Sequence, residues 1–198
     1  MTTATMRRST LAAGPICMTV YGLIRLTDEK HGPGLAWSSG HLALLAGVLC
    51  FVPVFRGLNR MAAEGRGRGA RRLAGAGFSA GLIGVVAVSV QAGIDLVVGF
   101  LSEDRAAMRV LFERVQSRPM MEPVFYSVGP MLFYVGLLLL MVQLAVLRRA
   151  GAWRTVVIVA GIAVSMASLD LLPLGGLLFL VALVTLGSPA PGVSSRDS

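Results

Sequence analysis

Six polar residues sit inside or at the edges of otherwise apolar runs: His41, Gln91, Asp95, Glu122, Tyr126 and Asp170. Ionisable groups in apolar segments are costly to keep, so they are functional candidates by default. An imidazole near a carboxylate can hold a proton and pass it on. His41, Asp95 and Asp170 are therefore the candidate catalytic acid/base groups, with His41 able to pair with either carboxylate. Gln91, Asp95, Glu122, Tyr126 and Tyr134 are the candidate lining of a ligand pocket. The competing reading makes Asp95 and Asp170 helix-end residues in the wet interface and His41, beside Ser38, Ser39 and Gly40, an interfacial anchor. A site of His31, His41, Asp95 and Asp170 can be drawn on paper, but their spacing matches no metal motif, so no metal is expected. The sequence identifies no cofactor.

Membrane-crossing helices must position these residues. Of 198 residues, 55% are hydrophobic and 14% are charged, and the mean hydropathy is +0.75. A soluble domain carries about a quarter charged residues. The expected fold is an all-α polytopic membrane bundle. A span takes about 20 mostly apolar residues, which places the first four helices at 10–26, 38–54, 73–101 and 123–147. Arg7 and Arg8 before the first run resemble a signal peptide, but Ala12, Ala13 and Gly14 come too early for cleavage, so a retained helix is expected. As one helix, 155–186 would be about 48 Å long, against a hydrocarbon core of about 30 Å. Asp170, Pro173, Gly175 and Gly176 supply turn chemistry, so a hairpin of helices 155–169 and 174–186 is expected. Five spans with a broken last helix is the alternative. Residues 1–186 read as one transmembrane domain, and 187–198, rich in Ser, Pro and Gly, as a disordered cytoplasmic tail.

Charge decides the orientation. The chain carries 18 Lys+Arg and 10 Asp+Glu. Arg56, Arg60, Arg66, Arg68, Arg71 and Arg72 fall between helices two and three, and Arg148, Arg149 and Arg154 between four and five. With the termini, this side holds 12 basic and 2 acidic residues, against 6 and 8 on the other. The positive-inside rule makes the first side cytoplasmic, so six helices have both ends inside. The six arginines between helices two and three are also expected to contact anionic lipid. The Arg-Gly run at 65–69 therefore reads as a topology signal, and no nucleic-acid partner is expected. The six polar residues all fall near the outer leaflet.

Helix three has the clearest face. Gly77, Gly81, Gly84, Val88, Gln91 and Asp95 recur every three or four residues, which makes one stripe. Its glycines permit close helix packing, and its polar end opens outward into a vestibule. Segment 102–121 reads as a short helix with Ser102 as cap, Glu103 and Asp104 in its first turn and Pro119 as its stop. Its stripe of Ala107, Leu111 and Val115 suits an interfacial connector or a lid. Trp37, Trp153 and Tyr126 read as aromatic anchors at helix ends. Tyr134, on the broad face of Tyr126, needs a partner. Gln143 is placed to bond across the bundle, and Ser165 and Ser168 to bond back to helix carbonyls. Cys17 and Cys50 read as small buried apolar residues.

No nucleophile elbow, phosphate-binding loop or zinc-protease motif is present. The runs His41-Leu42-Ala43-Leu44-Leu45-Ala46-Gly47, Leu132-Phe133-Tyr134 and Leu172-Pro173-Leu174-Gly175-Gly176 give a layout similar to small bacterial multispanning proteins. That likeness implies the bacterial cytoplasmic membrane and carries no catalytic role. The expected function is non-enzymatic: binding, transport or envelope upkeep through a polar cavity facing the outer leaflet. The alternatives are a membrane-embedded enzyme acting on a lipid or isoprenoid, and a scaffold subunit that packs against itself or a membrane partner.

Overall fold

A computed structural model describes residues 3–28, 31–64 and 67–187, with side chains for 8–28, 31–64 and 67–186. Arg7, Glu29, Lys30, Arg66, Arg196, Asp197 and the rest of the expected tail lie outside the described side chains. The described chain is all-helical. Its helices are α1 (Thr3–Thr27), α2 (Leu35–Ala63), α3 (Arg68–Leu101), α4 (Arg105–Gln116), α5 (Gly129–Val146), α6 (Ala152–Ala167) and α7 (Leu172–Val184). A wide π-type turn, Glu122–Val128, leads into α5, and a 3-10 turn, Leu169–Leu171, joins α6 to α7. Four helices are long and apolar enough to cross a membrane: α1, α2, α3 and the turn with α5. Helices α6 and α7 are shorter and pack on each other as a hairpin.

Three helices run further than expected, α1 starting at Thr3 rather than at residue 10. Pro53 does not end α2, which continues through Arg56 and Arg60 to Ala63, and α3 begins at Arg68. At 1.5 Å per residue α3 is about 51 Å long, beyond a hydrocarbon core of about 30 Å. Arginine is a good helix former, so the segment expected as an arginine loop is mostly helix. Arg56, Arg60, Arg68, Arg71 and Arg72 stand exposed on these extensions.

The six long and medium helices alternate in direction and close into a ring, with α7 returning against α1. Close packing follows the glycines. A side chain at Gly47 would run into Cys17 of α1, and one at Gly14 into Phe51 of α2. Gly81 makes room for the Phe55 ring, Gly84 for the backbone of Phe133, and Gly136 for the backbone of Gly81. Lipid tails are as apolar as leucine, so helices in a bilayer associate through such close contact. Phe133 sits edge-on to Phe51 and Phe55, with centroids 4.9 and 5.4 Å apart. The glycine stripe of α3 is therefore used inside the molecule, against α2 and α5.

The two ends of the bundle differ. At the arginine end, Arg149 reaches the carbonyls of Met61 and Glu64 at the close of α2. Arg154 donates to the Thr185 hydroxyl and carbonyl, at 3.0 and 2.9 Å, at the close of α7. Both cations satisfy carbonyls that a helix end leaves free. Gln143 donates across the bundle to the Ala70 carbonyl at 2.7 Å. At the acidic end, Asp104, not Ser102, caps α4 by accepting from the Ala107 amide at 2.8 Å. The Ser102 hydroxyl instead donates back to Val98. Helix α4 buries Met108 and sets Phe112 against Trp37, so its inward face is centred one residue from the expected stripe. Ser168 does not bond back to a helix carbonyl. Its hydroxyl accepts from the Asp170 amide at 3.1 Å and starts the 3-10 turn.

Candidate functional site

The first turns of α2 and the last turns of α3 meet at the acidic end. Trp37 and His41 are one helical turn apart on α2, so they share a face. The Trp37 indole N–H donates to the Asp95 backbone carbonyl at 2.8 Å, and Gly99 leaves room for the indole ring. His41 Nδ1 lies 2.8 Å from the Trp37 carbonyl, and its Nε2 lies 3.5 Å from Asp95 Oδ2. Tyr126, carried in by the wide turn, donates its hydroxyl to Asp95 Oδ1 at 3.0 Å. Tyr21 of α1 stands edge-on to His41, with centroids 5.5 Å apart. His41 and Asp95 are 5% and 6% exposed, so the pair is almost dry.

A carbonyl can only accept, so His41 Nδ1 carries a hydrogen. An imidazole lone pair facing a carboxylate lone pair at 3.5 Å would repel it, and one further proton held between Nε2 and Oδ2 would relieve that repulsion. The pair is then neutral overall, either as imidazolium with carboxylate or as imidazole with carboxylic acid. In a low-dielectric setting that neutrality is favoured over a lone charge.

The pair sits in the wall of a cavity of about 580 Å³. Its lining comes from α1, α2, α3, the wide turn with α5, and the α6–α7 corner. Among the described residues on this wall, Asp95 is the one carboxylate and Arg25 the one fixed cation. Tyr21, Trp37, Tyr126, Phe133 and Tyr134 supply rings, and Met18, Leu44, Val48 and Val88 supply apolar surface. Three lining residues are exposed: Met131 at 50%, Met166 at 57% and Leu169 at 52%. These residues stand at the start of α5 and at the end of α6 with its following turn, the most exposed side of the lining. These helices are joined nearer the arginine end, where the Thr155 hydroxyl donates to the Met141 carbonyl.

The expected residues divide. His41, Gln91, Asp95, Tyr126 and Tyr134 all line this cavity, although they come from three separate stretches of sequence. Glu122 does not line it. The wide turn carries its exposed carboxylate away, where it accepts from Ser127 at 2.7 Å. Asp170 does not line it either and is bonded to Arg25 Nε at 3.2 Å on an exposed edge. Asp170 reaches the cavity only through Arg25. His31 lies outside, on a water-sized hollow of about 20 Å³ shared with Arg25, Asp28 and His41. Among the described residues no three His, Cys, Asp or Glu side chains gather as a metal site.

Sequence reasoning missed three members. Trp37 is held inward by Asp95, His41 and Phe112 rather than standing as an anchor among lipid headgroups. Tyr21 and Arg25 were hidden at the end of the first apolar run. Their signal was their spacing of four, which puts both on one face of α1.

No known protein family, no curated protein and no solved structure matches this chain.

Proposed function

We propose that this chain is a multi-pass membrane protein that binds a small amphipathic molecule in the acidic-end cavity, without catalysing a reaction. In this reading all six apolar helices are embedded in the bacterial cytoplasmic membrane. Both chain ends and the arginine end face the cytoplasm, in line with the positive-inside rule. The acidic end then lies in the outer leaflet. Arg56, Arg60, Arg68, Arg71 and Arg72 contact anionic lipid on the inner side.

The observation that carries the reading is the cavity itself. It has an apolar mouth of Met131, Met166 and Leu169 and a polar inner wall of His41, Asp95 and Tyr126. An aqueous solute gains nothing from an apolar mouth that opens sideways between two helices. A molecule with an alkyl or isoprenoid tail keeps the tail in lipid while its head reaches the polar wall. The volume is that of an ordinary small-ligand site, about 300–1,000 Å³.

The adjacency of His41 and Asp95 supports a second reading, an enzyme acting on a lipid or isoprenoid. That reading is the weaker one. His41 Nδ1 is held by the Trp37 carbonyl, and Asp170, the third expected acid/base group, is tied to Arg25 away from the cavity. The α3 glycines pack inside the molecule, so they do not add support for a scaffold role. Native mass spectrometry of the full chain, released gently from its membrane, tests the proposal. A retained amphipath of stoichiometry one is expected. Loss of that mass from a variant with Met166 and Val88 both changed to Trp ties it to the cavity. A bare chain under every mild extraction would count against binding, and a turned-over product would favour the enzyme.

A further inference from the structure

We infer that the head of the bound molecule is a cation of the alkylammonium class, and that it takes the place of the proton shared by His41 and Asp95. The inference rests on the cavity being an amphipath site.

Three observations on the wall point to a cation. Asp95 is the one carboxylate among the described lining residues, and it is almost completely shielded from water. Tyr21, Trp37, Tyr126 and Tyr134 line the same space, and the faces of such rings attract ammonium groups. Arg25, the one fixed positive charge there, is already met by Asp170 on the outer edge. Its guanidinium is thus balanced from outside the cavity, whereas nothing but a proton balances Asp95.

The groups facing Asp95 are few. Helix α1 brings Tyr21 and Arg25, α2 brings His41, and the wide turn with α5 brings Tyr126 and Tyr134. In the empty site one proton keeps the His41–Asp95 pair neutral. An arriving ammonium would leave the dry wall with an excess positive charge unless that proton departs. Binding therefore leaves Asp95 as carboxylate against the ammonium and His41 as neutral imidazole, and the proton goes to water. An anionic head would require the opposite, uptake of a second proton. A zwitterionic head would exchange none. The sign of proton exchange thus reports the class of head group.

The test uses the full chain in dodecyl maltoside and three probes with the same tail: decyltrimethylammonium, decanesulfonate and decylphosphocholine. Calorimetry in buffers of different ionisation enthalpy counts the protons exchanged. The expected result is preferred binding of decyltrimethylammonium with release of about one proton, so that its affinity rises up to about tenfold per pH unit by linkage. Asp95→Asn is expected to bind it at least tenfold more weakly and with no proton release. The proton count on the unaltered chain stands even if that variant fails to fold. Cation binding without proton release, or preference for either other probe, would overturn the inference and leave amphipath binding intact. Binding of none of the three would overturn both.

Discussion

A methyl group added at Gly84 tests how the cavity is held. Gly84 lies on α3 where α5 crosses it, and a Cβ there would come within 2.7 Å of Phe133 Cβ and nearer still to the Phe133 backbone. Ordinary carbon contacts are about 3.5–4.0 Å, so α5 must retreat by about 1 Å. It cannot do so locally. Gly136 is pressed on the Gly81 backbone one turn away, and Phe133 is wedged between Phe51 and Phe55. Overpacking of this kind costs about 1–3 kcal/mol, or about a 5- to 150-fold shift toward the unfolded chain. The same retreat draws Tyr126 away from Asp95, so ligand affinity falls with stability. Gly93 on the same helix is the control, since nothing lies within 4 Å of its Cβ position. Gly93→Ala is expected to be neutral or to gain up to about 1 kcal/mol from helix propensity. The native thiols Cys17 and Cys50 are both free and partly buried. A thiol-reactive dye in mild detergent therefore reads unfolding directly. Equal melting of Gly84→Ala and the unaltered chain, or equal damage from both variants, would refute the packing account.

Other outcomes follow from the same geometry. Met166→Trp narrows the mouth between α5 and α6 at a site that is already exposed, so ligand exchange should slow at least tenfold in stopped-flow binding while melting is unchanged. Asp170→Asn breaks an ion pair whose carboxylate side chain is 58% exposed. Such pairs contribute about 0–1 kcal/mol, so stability should move by less than that, and the charge-swapped pair Arg25→Asp with Asp170→Arg should recover it in a double-mutant cycle. Reporter fusions after Ala63 and Ser117 should report cytoplasmic and external positions respectively, and both on one side would contradict the proposed orientation.

Much of the architecture was legible because a bilayer writes it in runs of apolar residues. The α3 stripe from Gly77 to Asp95 identified an inward face correctly, since only a packed face gains from three glycines at helical spacing. The helix ends were less legible. Arg56, Arg60 and Arg68 mark the edge of an apolar run, yet arginine continues a helix readily, so the helices outlast their apolar stretches. An aromatic near a helix end looks the same whether it faces lipid or the bundle, which is why Trp37 was misread. Glu122 and Tyr126 are four residues apart and would share a face on an α-helix. The wide turn changes that phase, bringing Tyr126 in to Asp95 and leaving Glu122 out with Ser127. The partnership of Arg25 with Asp170 spans 145 residues. It depends on α7 closing the ring against α1, which no local pattern encodes.

In the proposed mode of binding a molecule from the lipid enters the acidic-end cavity between α5 and α6. Photolabelling in a bilayer tests it most directly, using decyltrimethylammonium with a diazirine midway along its tail and peptide mapping of the adducts. Labelling centred on Met131, Tyr134 and Met166, and suppressed by excess unlabelled probe, is the predicted result. Labelling confined to outward residues such as Val86, Val97 and Val156, with no competition, would contradict it.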